Sequence, residues 1–205
     1  GKQSFYLDRS DFLELATPYR GAHLDLGTGD GRYVLSTARA HPNQFVIGVD
    51  ACRENLQRSS RCAPNNALFV IANALALPPE LGGIASQISI VFPWGSLLAG
   101  ILDVDKPVLE GVAASSRRGA SLEIVLNAGA LSEQGWELHL GVDRARERLR
   151  GGGFVVDSPR LLDAASLRRI PSTWAKRLAF GRDPRAVAIL ARGGKGGVLG
   201  AEARE

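Results

Sequence analysis

The sequence contains no methionine, two cysteines and three histidines among its 205 residues. Cys52 and Cys62 are too few for a disulfide scaffold or a four-cysteine zinc site, so we expect two reduced thiols. His23, His41 and His139 stand apart from one another, without an acid or a second histidine at metal-ligand spacing. We expect them to be structural or surface residues, and we expect no metal site. A chain of this length buries a full core without metals or disulfides.

The first twenty residues lack the apolar stretch of a secretory signal, which predicts a cytoplasmic protein. An uncharged run at 82–102 has about the length of a membrane helix. It contains several serines and a glutamine, however, and Pro93-Trp94-Gly95 interrupts it. A buried strand, a turn and a helix fit this run better, so no membrane partner is expected.

The charge of the chain is distributed unevenly. The whole chain carries +4 at pH 7, with a pI near 9.4. Segment 160–192 holds eight basic and two acidic residues, so it carries +6 and the remainder carries −2. A basic end on a nearly neutral protein suggests an anionic partner at that end, and a solvated charged face is the alternative.

Short apolar runs alternate with helical stretches along most of the chain, and this predicts βαβ units in a mainly parallel sheet. The predicted strands are His23–Leu26, Phe45–Val49, Ala67–Ala72, Gln87–Phe92, Ser121–Leu126, Phe154–Val156 and Ala186–Leu190. The predicted helices are a short one within 5–15, then Arg32–Ala40, Arg53–Arg61, Ser96–Leu102, Pro107–Arg117, Asp143–Arg150 and most of Arg160–Arg169. We therefore predict one doubly wound α/β domain over residues 1–192, with seven strands and helices on both faces of the sheet.

Two segments fall outside this alternation. The connection at 170–184 is long for a simple linker, and such connections usually carry function. The tail at 193–205 is rich in glycine and is predicted to be disordered.

Three alternating glycines follow the first predicted strand in the sequence Asp25-Leu26-Gly27-Thr28-Gly29-Asp30-Gly31. Such glycines let the backbone approach a ligand closely, beyond the carboxyl end of a parallel strand. The G-x-G-x-G spacing is one residue shorter than that of a dinucleotide site. Asp25, two residues before the first glycine, suits a ligand with a positive amine, such as S-adenosylmethionine. Asp50, at the end of the second strand, is placed to accept hydrogen bonds from ribose hydroxyls.

Together the glycine turn and the two acids resemble the class I S-adenosylmethionine-dependent methyltransferases. In such a sheet the methyl acceptor lies where the fourth strand ends, here at Val91-Phe92-Pro93-Trp94-Gly95-Ser96. Amino-methylating enzymes of this class commonly have an Asn or Asp there, which this sequence lacks. A ring nitrogen with its own lone pair needs no such side chain. It needs aromatic residues that hold the ring and orient the nitrogen toward the methyl group, and Phe92 and Trp94 can hold the ring.

A second aromatic residue, Trp174, lies within the basic segment. Aromatic side chains interleaved with arginines suit base stacking combined with phosphate contact. Packing in the core is the alternative for Phe92 and Trp174 taken alone, whereas Trp94, between Pro93 and Gly95, is expected to be exposed in a turn.

Two segments narrow the resemblance: Phe-Pro-Trp-Gly-Ser-Leu-Leu at 92–98 and Ser-Thr-Trp-Ala-Lys-Arg-Leu-Ala-Phe-Gly-Arg at 172–182. They resemble the aminoglycoside-resistance methyltransferases of 16S ribosomal RNA, specifically the Kam/Npm group, which methylates N1 of adenine 1408 in the decoding site. The resemblance covers about residues 23–190. It implies S-adenosylmethionine as the cofactor and 16S rRNA in the 30S subunit as the partner, and we expect a monomer.

The resemblance also implies roles for individual residues. Trp94 and Trp174 would sandwich the flipped adenine, with Phe92 and Ser172 helping to hold it. The cofactor would be lined by Asp25, Gly27, Gly29, Asp50, Ala74, Leu75, Val91, Phe92, Pro93, Trp94, Gly95, Ser96, Ser172, Thr173 and Trp174. The RNA would be contacted by Arg58, Arg61, Arg177, Arg182 and Arg185. No general base would be needed, because N1 of neutral adenine carries no proton.

Two departures from the family keep alternatives open. The loop between strands two and three is short and holds only Arg58 and Arg61, whereas related enzymes have a longer, lysine-rich loop. Asp183-Pro184 displaces the second basic residue after Gly181-Arg182 to Arg185. The alternatives are a methyltransferase for another RNA or a small molecule, a cofactor-binding RNA-recognition protein without activity, and a dinucleotide-dependent oxidoreductase, which the glycine spacing disfavours.

Overall fold

The fold is an α/β sheet covered by helices, as seen in a computed structural model that describes residues 4–105, 107–181 and 183–193. The strands are β1 (Ala22–Leu26), β2 (Phe45–Asp50), β3 (Ala67–Ile71), β4 (Ala85–Val91), β5 (Ser116–Asn127), β6 (Phe154–Val156), β7 (Arg160–Leu162) and β8 (Ala186–Gly193). The helices are α1 (Arg9–Ala16), α2 (Arg32–Ala40), α3 (Arg53–Arg61), α4 (Gly95–Leu102), α5 (Val108–Ser115), α6 (Ala128–Glu133), α7 (Leu138–Gly151), α8 (Ala164–Arg169) and α9 (Thr173–Phe180). A 3₁₀ turn spans Pro79–Leu81.

The strand order is β3-β2-β1-β4-β5-β8-β6, with β7 also paired to β8. The first five strands are parallel, and β8 runs antiparallel to β5. The strand order reverses at β1, between β2 and β4, and in open α/β sheets ligands bind beside such a switch point, beyond the carboxyl ends of the strands. The predicted doubly wound, mostly parallel sheet is confirmed.

The strand count and the start of α8 differ from the prediction. Arg160–Leu162, expected to begin a helix, is a strand because it pairs with the first part of β8, where Leu162 lies opposite Ala186. Strand β6 pairs with the last part of β8, where Phe154 lies opposite Gly193. The sheet therefore has eight strands in seven positions, since β6 and β7 share one edge of β8.

Tertiary pairing also moves other predicted boundaries. β5 begins at Ser116 and so takes the end of the helix expected at 107–117, while α7 begins at Leu138, before the first residue predicted for it. The long connection at 170–184 contains α9. Gly193, expected in the disordered tail, is the last residue of β8, and positions 194–205 lie outside the described residues. By contrast, α2 and α3 have the predicted bounds.

The buried side chains of the described residues form one large core, a smaller core and a third cluster of Val34, Ala38 and Val46. The large core lies between the sheet and helices that cover it, and contains apolar residues of β1, β2, β4 and β5. The smaller core lies under α8 and α9 and consists of Phe92, Val125, Leu162, Leu167, Ala175, Ala186 and Ala188. It joins the end of β4 to α9, and it brings the two segments that carry Trp94 and Trp174 together.

Within the described ranges, no helix is long and apolar enough to cross a membrane. In the same residues, no group of three or more His, Cys, Asp or Glu side chains is arranged to hold a metal ion. Cys52 and Cys62 are exposed and form no disulfide.

Candidate active site

The glycine turn after β1 is fixed to the neighbouring strand by its backbone. The N–H groups of Gly27 and Thr28 both donate to the carbonyl of Val49, over 2.9 and 3.0 Å. Gly27 and Gly29 have φ of +72° and +55°, which disfavour any residue with a Cβ. A Cβ on Gly27 would lie 2.6 Å from the Leu97 side chain, whereas one on Gly29 would meet nothing within 4 Å. The turn therefore faces open space at Gly29.

Asp50 closes the side of this turn next to β2. Its Oδ2 accepts a 2.8 Å hydrogen bond from the Gly29 N–H, and its Oδ1 accepts one of 2.8 Å from the Cys52 N–H. The Asp50 carbonyl accepts from the Ala72 N–H over 3.1 Å, so the loop after β3 begins beside it. This brings Ala74 and Leu75, which are predicted to line the cofactor, to the same edge of the sheet.

Asp25 lies beneath the turn and is buried. Its Oδ1 accepts a 2.6 Å hydrogen bond from the Ser89 hydroxyl, and the same oxygen of Ser89 lies 2.9 Å from Nε2 of buried His23. Burial raises the pKa of Asp25 to about 6, although the hydrogen bond from Ser89 opposes this. Burial lowers the pKa of His23 to about 4. Thus His23 is structural, and it supports the hydroxyl that holds Asp25.

These residues fit S-adenosylmethionine. Burial disfavours the ionised form of Asp25, and a positive group beside it would stabilise that form. The amine of this ligand provides such a group. The open space at Gly29 and the Asp50 carboxylate suit the ligand's ribose and the apolar loop at 74–75 suits its adenine ring. The fit rests on this combination of two acids, a glycine turn and an apolar wall.

The end of β4 turns sharply toward the same edge. Phe92 has φ of +55°, a conformation that is costly for a bulky residue and often found at functional sites. Its N–H donates to the Val125 carbonyl over 2.9 Å, and its ring is buried in the smaller core beneath α9. From there Phe92 supports the helix, rather than presenting a ring face to solvent. Val91 is half-buried and Pro93 is buried, while Trp94 is exposed and precedes Gly95 and Ser96, the first residues of α4.

The structure brings Trp94 and Trp174 into direct contact. Their ring centroids are 5.4 Å apart and the rings are inclined by 16°, which is a stacked arrangement. Trp94 is 41% exposed and Trp174 is 45% exposed, so neither is a core residue. The two indoles thus form a solvent-facing aromatic pair beyond the carboxyl end of β4.

Two hydroxyls at the start of α9 are already engaged. Ser172 is the N-cap of this helix, and its hydroxyl accepts a 3.0 Å hydrogen bond from the Ala175 N–H. The Thr173 hydroxyl donates to Oδ2 of Asp30 over 2.7 Å. Both residues were expected beside the cofactor; here Ser172 caps the helix that carries Trp174, and Thr173 connects this helix to Asp30.

The predicted RNA-binding residues differ in their surroundings. The Arg177 guanidinium lies 5.3 Å from the centroid of the Trp174 ring, a cation–π contact on the exposed face. Arg185 forms two 2.7 Å hydrogen bonds to the Asp183 carboxylate, so its charge is locally neutralised. Arg58 and Arg61 are exposed on the last turn of α3. Arg182 lies outside the described residues.

Asp30, Ser59 and Ser89 belong to this region but were not among the predicted site residues. Asp30 stands inside the glycine motif, which alone could have drawn attention to it. The Ser59 hydroxyl donates to the Asp30 carbonyl and, like Ser89, carries no local sequence signal, because its partner is far away in the chain.

A family model described as NpmA, 16S rRNA (adenine(1408)-N(1))-methyltransferase, matches residues 1–193 of the chain. The chain belongs to this family. Similar proteins are the 16S rRNA (adenine(1408)-N(1))-methyltransferases of Escherichia coli, 34% identical over 89% of this chain and 91% of that protein, and of Streptoalloteichus hindustanus, 31% identical over 89% and 92%.

Solved structures of the family superpose on this fold. The 16S rRNA methyltransferase KamB gives a TM-score of 0.82 at 27% identity, over 95% of this chain and 97% of that one. A 16S rRNA (adenine(1408)-N(1))-methyltransferase variant from Catenulisporales acidiphilia, solved with its cosubstrate S-adenosylmethionine, gives 0.82 at 27% identity, over 96% of both chains. The predicted family, enzyme class and cofactor are confirmed: the chain is an S-adenosylmethionine-dependent methyltransferase of the 16S rRNA group.

Proposed function

We propose that this chain methylates N1 of adenine 1408 of 16S rRNA within the 30S subunit and thereby confers aminoglycoside resistance. The observation that supports this best is the stacked, solvent-facing pair of Trp94 and Trp174. The pair lies beside a turn that fits S-adenosylmethionine. An extruded base needs π-faces to replace the stacking that it loses in RNA, and two indoles supply them.

The proposed mechanism is an in-line displacement in which the protein positions both reactants. S-adenosylmethionine, when bound, supplies an electrophilic methyl group. Asp25, Asp50 and the glycine turn fix the cofactor, with Ala74, Leu75 and the 91–96 turn completing its wall. Trp94 and Trp174 hold the adenine so that the N1 lone pair points at the methyl group, and they exclude water from the reacting atoms. No residue removes a proton, because N1 of neutral adenine carries none.

We further propose that the enzyme acts in the cytoplasm, as a monomer and without a metal ion. An unprotonated ring nitrogen is already a nucleophile, so the transfer requires neither a general base nor a Lewis acid. The residues that would contact phosphates of the rRNA are Arg58, Arg61, Arg177, Arg182 and Arg185. Phe92, which is buried beneath α9, and Ser172, which is the N-cap of α9, would hold the Trp94–Trp174 pair in place.

Primer extension on 16S rRNA tests the proposal. Purified 30S subunits are incubated with the protein and S-adenosylmethionine, and a Trp174→Ala variant serves as the matched control. A strong stop at adenine 1408 with the parent, absent with the variant, is expected because N1 methylation blocks base pairing. A parent that binds the cofactor but gives no stop there on intact subunits contradicts the proposal.

A further inference from the structure

A side-chain hydrogen bond connects the glycine turn to the helix that carries Trp174. Thr173 Oγ1 donates to Asp30 Oδ2 over 2.7 Å, although the two residues are 143 positions apart. Thr173 is the first residue of α9 and directly precedes Trp174. Asp30 directly follows Gly29, whose N–H donates to Asp50. The bond therefore joins the proposed cofactor-binding turn to the proposed base-binding helix.

Asp30 is itself held by several contacts. Its carbonyl accepts a hydrogen bond from the hydroxyl of Ser59, a buried residue of α3. Its Oδ1 accepts from the Arg32 N–H over 3.3 Å, and the Arg32 Nε lies 3.3 Å from its Oδ2. A Cβ on the next residue, Gly31, would come 2.7 Å from Ser59. The position of the Asp30 carboxylate is thus set by α2 and α3, independently of α9.

The helix α9, in contrast, is weakly anchored. It has eight residues; among them Ala175 is buried, and only Leu178 and Ala179 are in addition partly buried against the smaller core. Its first turn is capped by Ser172, but this cap is internal to the helix and does not fix its direction relative to the sheet. Only contacts from outside the helix determine where Trp174 lies, and the Thr173 hydroxyl provides a directional one.

We infer that Asp30 and Thr173 are positioning residues, which hold the start of α9 over the glycine turn so that Trp174 stays opposite Trp94 beside the cofactor-binding turn. This inference rests on the proposed function. Neither residue touches the reacting atoms. Loss of the hydrogen bond should therefore lower the rate of transfer to RNA, by about three- to tenfold for a single bond, while the affinity for S-adenosylmethionine changes little.

Thr173→Val removes the hydroxyl and keeps the shape, so it is the decisive variant. We expect kcat/KM for 30S subunits to fall about three- to tenfold, and Thr173→Ser to restore most of it. Thr17→Val is the matched control, because the Thr17 hydroxyl donates to the Leu13 carbonyl at the C-terminal end of α1 and contacts no residue of the proposed site. This control should keep the parent rate.

A double-mutant cycle tests whether the two residues act as a pair. Asp30→Ala combined with Thr173→Val should be no worse than the more impaired single variant, since the bond is lost only once. Arg32→Ala shows how much of the Asp30→Ala effect comes from the ion pair of Asp30 with Arg32. Fully additive losses would overturn the inference.

A spectroscopic measurement separates positioning from general stability and does not depend on activity. The chain has three tryptophans, so in a Trp136→Phe background the circular-dichroism exciton signal of stacked indoles reports only on Trp94 and Trp174. Thr173→Val should weaken this signal at an unchanged melting temperature, and Thr173→Ser should restore it. An unchanged signal, or equal losses in the Val and Ser variants, would refute a positioning role. If the variants show these signal changes but the parent does not methylate rRNA, the proposed function is refuted and the positioning role is not.

Discussion

Trp94 and Trp174 stack directly on each other, with 5.4 Å between their ring centroids, although one follows β4 and the other belongs to α9. A base inserted between two parallel rings needs about 7 Å between their planes, twice the stacking repeat of nucleic acids. The space between the indoles is therefore too small for adenine. Each indole covers the face that the other offers to a base, so the pair has to separate before adenine enters.

This arrangement predicts that each indole matters for methyl transfer more than for stability. Trp94→Ala and Trp174→Ala should each abolish most of the transfer, because stacking contributes about 1–3 kcal/mol per base and extrusion of the base costs a few kcal/mol. Trp→Phe variants should keep part of the activity. Methylation assays on 30S subunits measure this.

Melting curves of the same variants provide the control. An exposed aromatic pair contributes about 1 kcal/mol, whereas a buried Trp→Ala change costs about 3–5 kcal/mol. Variants that melt much earlier but methylate normally while folded would show that the indoles are packing residues rather than a clamp.

Asp50 provides a test of the cofactor site. Asp50→Ala should weaken S-adenosylmethionine binding by about 1.5–3 kcal/mol, since it removes a charged acceptor beside the open face of Gly29. Calorimetry measures the affinity, and circular dichroism checks the fold. Asp103→Ala, at the far end of α4, is the matched control. Unchanged affinity in folded Asp50→Ala would remove this residue from the site.

The two exposed arginines near α9 should differ in their effect on RNA binding. Arg177→Glu should weaken binding to 30S subunits and reduce its salt dependence, because one phosphate contact and its released counterion are lost. Arg185→Glu should have a smaller effect, since Arg185 is already paired with Asp183. Binding measured over a salt series compares the two. Equal effects would mean that the ion pair does not withhold Arg185 from RNA.

Asp25 and His23 should make opposite contributions to the pH dependence of stability. The raised pKa of Asp25, about 6 against 3.8, stabilises the fold below pH 3.8, and this contribution is lost as the pH rises through 6. The lowered pKa of His23, about 4 against 6.5, stabilises the fold above pH 6.5, and this is lost as the pH falls through 4. Each amounts to about 3 kcal/mol, so they largely cancel between pH 4 and 6.

Denaturation at several pH values tests this cancellation. The stability of Asp25→Asn should rise with pH from 4 to 6.5, because only the His23 contribution remains, whereas that of His23→Gln should fall from pH 4 to 6, because only the Asp25 contribution remains. S-adenosylmethionine affinity of the parent should rise as Asp25 ionises near pH 6, and this dependence should disappear in Asp25→Asn. Parallel pH profiles of stability for the parent and both variants would contradict these opposite contributions of Asp25 and His23.

The sequence was sufficient to predict the elements whose signals are local. The bounds of α2 and α3 follow from their flanking turns and apolar spacing. The glycine turn, together with Asp25 and Asp50, is recognised from the sequence as a motif. Arg160–Leu162 was predicted wrongly because its strand exists only through pairing with β8. The bond from Thr173 to Asp30 and the pairing of Arg185 with Asp183 depend on side-chain directions that no spacing rule specifies.

The separate small core beneath α8 and α9 has a consequence for the cooperativity of the fold. Phe92 and Ala175 are buried in this cluster and not in the large core that supports the sheet. Subglobal opening of α8 and α9 would expose mainly the side chains of this cluster and leave the large core buried, so it should require less free energy than global unfolding. In native-state hydrogen exchange, the amides of α9 should therefore exchange faster than those of β1 and β4. The proposed base-binding helix would then unfold locally while the part of the sheet that carries the proposed cofactor site stays folded.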